Sequence, residues 1–215
     1  VFSIPVFKNM PGADMTREDY FKASKPTVTV PEYTGASVTL NWTSLENAEK
    51  YQVYKYNEDT AKYERIKTIE ATSYTDSSLS KGDLPKYKVR AYYVNSDGET
   101  VYSSYSSVFY GATAPDTPTN LTLASKSEDS VKIKWSGVNC TGYLIYRYDT
   151  LSGSYEKVGS TTGTSYTDST VDSGTAYKYK IRAYVKTDSR TFYSADYSSI
   201  LSVTTSGEAA TRKAY

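Results

Sequence analysis

"TSYTDS" occupies Thr72–Ser77, and the same six residues return at Thr164–Ser169, 92 positions later. A repeat at that interval has the size of a small domain, so its surroundings should repeat as well. They do. "YQVYKY" (Tyr51–Tyr56) is matched by "YLIYRY" (Tyr143–Tyr148) and "YKVRAY" (Tyr87–Tyr92) by "YKIRAY" (Tyr179–Tyr184). "YSSV" (Tyr105–Val108) is matched by "YSSI" (Tyr197–Ile200), again at the same offset. "SVTLNW" (Ser37–Trp42) meets "SVKIKW" (Ser130–Trp135) at 93, which puts a one-residue insertion or deletion in the loop after each Trp. The chain holds two collinear copies of one unit, not a short-period solenoid.

The repeated segments read as strands. In "SVTLNW" the apolar Val38, Leu40 and Trp42 alternate with Thr39 and Asn41, and "SVKIKW" does the same with Val131, Ile133 and Trp135. Alternation with period two, in β-branched and aromatic residues, marks a half-buried strand. Turn formers separate the runs: "YTGAS", "NEDT", "NSDGE", "DTLSGS" and "DSGT". No segment sustains a helical apolar stripe over three turns. Short strands with turns every 8–12 residues predict an antiparallel sandwich.

The order of landmarks goes further. A Trp ends the second strand, Tyr-x-Val or Tyr-x-Ile opens the third, and "TSYTD" precedes an apolar residue and a Gly. A Tyr-x-Val/Ile-x-Ala strand follows. This order resembles the fibronectin type III domain, in particular the versions found in bacterial extracellular proteins. The resemblance implies an all-β chain of two immunoglobulin-like β-sandwiches in tandem, with "TSYTDS" as the fifth strand and the turn leaving it. It also implies a tyrosine corner, a Tyr near the start of the sixth strand that bonds the preceding loop. "VDSGTAY" (Val171–Tyr177) offers Tyr177 for that role, whereas "LSKGDLP" (Leu79–Pro85) has Pro85 at the matching position. The first repeat is therefore expected to be the less stable one.

The domains are placed at 22–113 and 114–207, with an N-terminal extended segment or linker at 1–21 and a tail at 208–215. "VFSIPVFKNMPG" (Val1–Gly12) resembles tails that follow cell-wall hydrolase modules in clostridial secreted proteins. The chain reads as a fragment of something longer. "MTREDYF" (Met15–Phe21) fits one helical turn capped by Thr16 with Asp19 at its third position. Between the domains, "ATAPDTP" (Ala112–Pro118) is short and holds two prolines, which limits its freedom.

Composition narrows the chemistry. There is no His, one Cys (Cys140), and a net charge of +1. Without His, Ser-His-Asp and Cys-His catalysis is impossible within these residues, and a zinc site lacks its ligands. The acids are scattered over turns rather than paired across a cleft, and no Gly-rich loop opens a helix. The expectation is a chain with no catalytic residue, no cofactor and no metal site. Cys140 cannot form an internal disulfide, so each sandwich must stand on its apolar core. The near-neutral charge offers no footprint for nucleic acid. No apolar run reaches the ~20 residues of a membrane helix, so no membrane insertion is expected. "KGD" (Lys81–Asp83) matches an adhesive tripeptide only by chance, and "NSDGE" (Asn95–Glu99) is a hairpin turn rather than a calcium loop. The glycosylation triplets at Asn41, Asn120 and Asn139 are what a Ser/Thr-rich chain produces by accident.

What remains is the placement of 24 tyrosines. If Tyr51 and Val53 point inward, Tyr54 and Tyr56 point outward. By the same rule Lys88, Arg90 and Tyr92 face out while Val89 and Ala91 face in. The second repeat gives Tyr146, Tyr148, Lys178, Lys180, Arg182 and Tyr184. The family resemblance puts these strands side by side, so each repeat would show a face of tyrosines among cations. Such a face either stabilises the sheet through cation–π and cross-strand pairs or serves as a binding platform. The expected role is a spacer or adhesion module of a larger secreted or cell-wall-associated protein, monomeric. A cell-wall polysaccharide or a host or surface protein would be its partner. The competing expectation is an accessory carbohydrate-binding part of a wall-degrading enzyme.

Overall fold

In the computed structural model, residues 15–29 and 33–207 are described. The segment read at Val1–Gly12 and the tail from 208 onward lie outside them. The chain forms two compact units, the first centred on Thr39–Thr75 and Pro85–Tyr110, the second on the residues from Gly111 onward. Among the described residues no helix is long and apolar enough to cross a membrane.

The first repeat opens with α1 (Arg17–Ala23) and continues with β1 (Val28–Thr29), β2 (Tyr33–Thr34), β3 (Ser37–Trp42), β4 (Lys50–Asn57) and β5 (Lys62–Ile69). It ends with β6 (Ser73–Asp76), β7 (Lys86–Val94), β8 (Thr100–Tyr102) and β9 (Phe109–Tyr110). One sheet has β3 between β6 and the short β1 and β2; the other runs β5-β4-β7, with β8 and β9 sharing the outer edge of β7. The second repeat comprises β10 (Thr119–Lys126), β11 (Val131–Ser136), β12 (Gly142–Asp149), β13 (Ser154–Thr161) and β14 (Ser165–Asp168). β15 (Ala176–Lys186), β16 (Thr191–Tyr193) and β17 (Leu201–Thr204) complete it. Its sheets are β10-β11-β14 and β13-β12-β15, with β16 and β17 sharing the edge of β15. The copies match strand for strand from β3 and β11 onward, and β1 and β2 together take the place of β10.

The alternation read in the sequence is the burial pattern. Along β11 every second side chain is buried, namely Val131, Ile133 and Trp135. Trp42 and Trp135 retain 5% and 6% exposure, and Tyr51, Val53, Val89, Tyr143, Ile145 and Ile181 are buried as expected. Each Trp packs on the Tyr that opens the next strand: Trp42 on Tyr51 at 5.7 Å and Trp135 on Tyr143 at 5.3 Å between ring centres. "TSYTDS" serves both copies alike, because the Thr72 and Thr164 carbonyls accept from the Trp42 and Trp135 amides at 3.0 and 3.1 Å. "NSDGE" is the β7–β8 turn: Asn95 Oδ1 accepts from the amides of Asp97 and Glu99, and Gly98 takes φ +80°, a region that suits glycine.

The helix α1 has the expected capping box, with Thr16 Oγ1 accepting from the Asp19 amide at 3.1 Å and Asp19 reaching back to the Thr16 amide. It is more than a turn in a linker. Phe21 is 3% exposed and meets the edge of Tyr93 at 4.8 Å, while Ser104 donates from its amide and hydroxyl to the Lys22 carbonyl. This segment is docked on the first repeat.

Candidate binding face

On the outer face of β4 and β7 the register sets Tyr54 opposite Lys88 and Gln52 opposite Arg90. On β12 and β15 it sets Tyr146 opposite Lys180 and Gly142 opposite Tyr184. All eleven residues singled out in the sequence therefore fall on these two faces, as the alternation required. They are not presented to solvent as bare rings. Except for Lys178, each is half-buried.

The cations lie between rings. Lys88 Nζ stands 4.3 Å from the centre of Tyr63 and 4.0 Å from that of Tyr105. Arg90 lies 3.9 Å from Tyr102 and 5.0 Å from Tyr105, and donates from Nη2 to the Tyr54 hydroxyl at 2.8 Å. The second repeat copies this: Lys180 sits 4.2 Å from Tyr155 and 3.8 Å from Tyr197, and Arg182 5.1 Å from both Tyr193 and Tyr197. Ring pairs close the ladder edge to face, with Tyr54–Tyr105 and Tyr146–Tyr197 both at 5.3 Å. Burial pushes the phenols of Tyr63, Tyr105, Tyr146 and Tyr155 up, and it pushes the Lys88 ammonium down, with the Arg90 charge adding to the effect.

Half of this ladder was not foreseen from the sequence. Tyr63 and Tyr155 come from β5 and β13, where a bulge at Ile66 and Val158, opposite the step after Val53 and Ile145, shifts the register so that Tyr56 pairs with Tyr63 and Tyr148 with Tyr155. Tyr102, Tyr105, Tyr193 and Tyr197 come from an interrupted last strand. Between its two pieces, buried serines replace the ladder. Ser106 Oγ accepts from the Val89 amide at 2.9 Å, Ser103 Oγ from the Ala91 amide at 2.9 Å and Ser198 Oγ from the Ile181 amide at 3.0 Å. Tyr184 departs from the pattern in a different way. It lies over Gly142, where a methyl group would come within 2.9 Å of its hydroxyl.

At the far end of the second sandwich Tyr177 Oη accepts from the Asp172 amide at 2.8 Å, the corner expected of it. Arg147 stacks on the Tyr177 ring at 5.0 Å. In the first repeat, with Pro85 at that position, the loop is held by Thr113, whose Oγ1 accepts from the Asp83 amide at 2.9 Å and donates to the Ser80 carbonyl at 2.7 Å. Thr205 does the same beside the corner in the second repeat. A small sheet facing a larger one in the same strand order, seen in both repeats and closed by a tyrosine corner in the second, identifies the fold. Both repeats have the fibronectin type III fold.

A two-domain fibronectin type III segment of chicken tenascin aligns with 85% of this chain and 99% of its own, at 16% identity and a TM-score of 0.47. Over 207 residues, 88% of this chain, the sequence is 33% identical to exoglucanase B of Cellulomonas fimi, of which it covers 18%. A stretch of 75 residues is 37% identical to an alpha-amylase of Niallia circulans, covering 33% of this chain and 5% of that protein. The chain thus spans less than a fifth of the length of the curated relatives it matches. No protein-family model matches it.

Proposed function

We propose that these domains form a non-catalytic spacer in a larger secreted bacterial protein, and that the tyrosine–cation faces hold the sheets rather than a ligand. The observation that carries this reading is the ladder. Lys88 and Lys180 each lie between two tyrosine rings, so the groups that would greet a ligand already have partners. Cation–π contacts contribute about 0.5–1 kcal/mol each at exposed sites and about 2 when desolvated, enough to offset partial burial of a lysine.

The relatives support the same view. Their names are an exoglucanase, an alpha-amylase, an amylopullulanase, a poly(3-hydroxybutyrate) depolymerase and a chitinase. A module shared among proteins named for glucan, polyester and chitin chemistry serves what they have in common, which is not one polymer. The same company supports a secreted location. The docked α1 further suggests that the first module begins at Thr16 rather than at Lys22.

The test is retention of the isolated chain on insoluble cellulose, starch and chitin. No retention is expected above that of an unrelated β-sandwich. Saturable retention abolished by Tyr54→Ala and Tyr146→Ala would overturn the spacer reading in favour of an accessory carbohydrate-binding module.

A further inference from the structure

At one end of the ladder the two domains differ. In the first, Lys86 is opposite Tyr110 on β9, lies 4.7 Å from the Tyr56 ring and pairs with Glu58 at 2.9 Å. In the second, the same register sets Lys178 opposite Ser202 on β17, and Thr150 stands where Glu58 would be. The aromatic lid and the carboxylate are both gone. In their place is an open groove of about 360 Å³ lined by Tyr148, Tyr177, Lys178, Thr150, Ser202 and Thr204.

Its contents have a definite chemistry. Tyr148 supplies an aromatic wall, backed edge to face by Tyr155 at 5.3 Å, and Tyr177 is fixed by its corner bond and by Arg147. Lys178 is exposed and only 5.8 Å from the Tyr148 ring, the loosest contact of the ladder. Among the described residues no carboxylate lies within ion-pairing distance of it. The threonine and serine hydroxyls on the rim can donate or accept. The volume lies at the small end of the range that holds one compact ligand.

We infer that this groove of the second domain binds a carboxylate-bearing sugar residue of an acidic polysaccharide. The apolar face of the ring stacks on Tyr148, the carboxylate meets Lys178, and hydroxyls of the sugar meet Thr150 and Ser202. A neutral sugar leaves the cation unanswered, and a small carboxylate leaves the aromatic wall bare. This site is the open end of the second domain's ladder, an exception to the spacer reading that rests on the stacked Lys88 and Lys180; that reading is tested on neutral polymers and this one with an acidic sugar, so either can fail without the other.

The experiment is a titration of the isotopically labelled chain with trigalacturonate, followed by amide NMR. Shifts are expected around Thr150, Lys178 and Ser202, with a dissociation constant on the order of 1 mM, as for one stacked ring and one ion pair. Lys178→Gln should weaken binding about tenfold, the worth of a hydrogen bond to a charged group. Ser202→Tyr restores the residue of the first domain and should abolish binding while leaving the spectrum elsewhere unchanged. Three results would overturn the inference: equal shifts with maltotriose, equal shifts with acetate at matched concentration, or binding that survives both substitutions.

Discussion

Arg147 joins the two sheets of the second domain: its Nη1 stands 2.8 Å from Oδ2 of Asp168, on the opposite sheet, and 3.0 Å from the Thr170 carbonyl. The carboxylate, 1% exposed, also accepts from Tyr179 at 2.8 Å and from the amide and hydroxyl of Thr170 at 3.0 and 2.7 Å. Burial alone would raise its pKa. The Thr170 and Tyr179 hydrogen bonds and the Arg147 charge outweigh that and hold it below the usual carboxylate range.

Asp168→Asn is therefore expected to destabilise the second domain by about 1–3 kcal/mol, the cost of a buried partner left unsatisfied. The upper figures for severed buried pairs do not apply, because Arg147 is 22% exposed and water reaches it. Because the folded pKa is depressed, the carboxylate's contribution is present above the unfolded value near 3.9 and is lost as pH falls through the folded one. Denaturant melts across acid pH should show this loss in the parent and not in the Asn variant.

Tyr177→Phe should cost the second domain about 0.5–1.5 kcal/mol, the net value of its corner bond. The buried Tyr51 and Tyr143 make a similar tie, accepting from the Leu45 and Val138 amides at 2.9 and 2.8 Å. Tyr143→Phe should therefore cost about as much. A midpoint unchanged in separate-domain melts would remove these bonds from the account.

Trp42→Ala and Trp135→Ala should each cost about 3–5 kcal/mol, as for other large aromatic truncations. Both indoles are buried, so native emission should be blue-shifted and move red on unfolding. Water-like native emission would contradict the core.

Alkali tests the ladder. Burial raises the folded pKa of Tyr63, Tyr105, Tyr146 and Tyr155, so their contribution is complete below the unfolded value near 10 and is lost as pH climbs through the folded one. Lys88, depressed, works in the opposite sense, but the phenols outnumber it. Stability should fall above about pH 10, with the ladder phenols ionising above that value in a titration at the tyrosinate band. Replacing Tyr54, Tyr56 and Tyr92 with Ala should cost more than ~0.5 kcal/mol per site, the limit for featureless surface positions.

The faces of β4, β7, β12 and β15 were legible because a regular strand keeps strict parity, and parity is visible in residues such as Tyr54 and Arg90. Tyr63 and Tyr155 were not, because a bulge shifts parity without marking the sequence. Tyr102 and Tyr105, three apart, and Tyr193 and Tyr197, four apart, share a face only because the last strand is broken. The serines after them, repeated in "YSSYSS", were the available signal. Phe21 was missed for a related reason: one short helix carries no periodic stripe, and its burial depends on Tyr93, distant in sequence. The Lys178 groove needed both copies, since it is a departure of one domain from the other.

Two modules of one fold on one chain meet at high effective concentration, which favours exchange of strands between neighbours and sheet growth across open edges. The interrupted last strand works against both. A partner strand needs an unbroken row of amides and carbonyls, and along β8–β9 that row is divided into two short pieces. The gap is filled from within by the hydroxyls of Ser103 and Ser106, and Ser198 fills the corresponding gap in the second domain. Exchanging such a strand would strip the Val89 and Ala91 amides of their acceptors. Replacing Ser103 and Ser106 with Val should therefore show up first as self-association of the chain, before any loss of its fold.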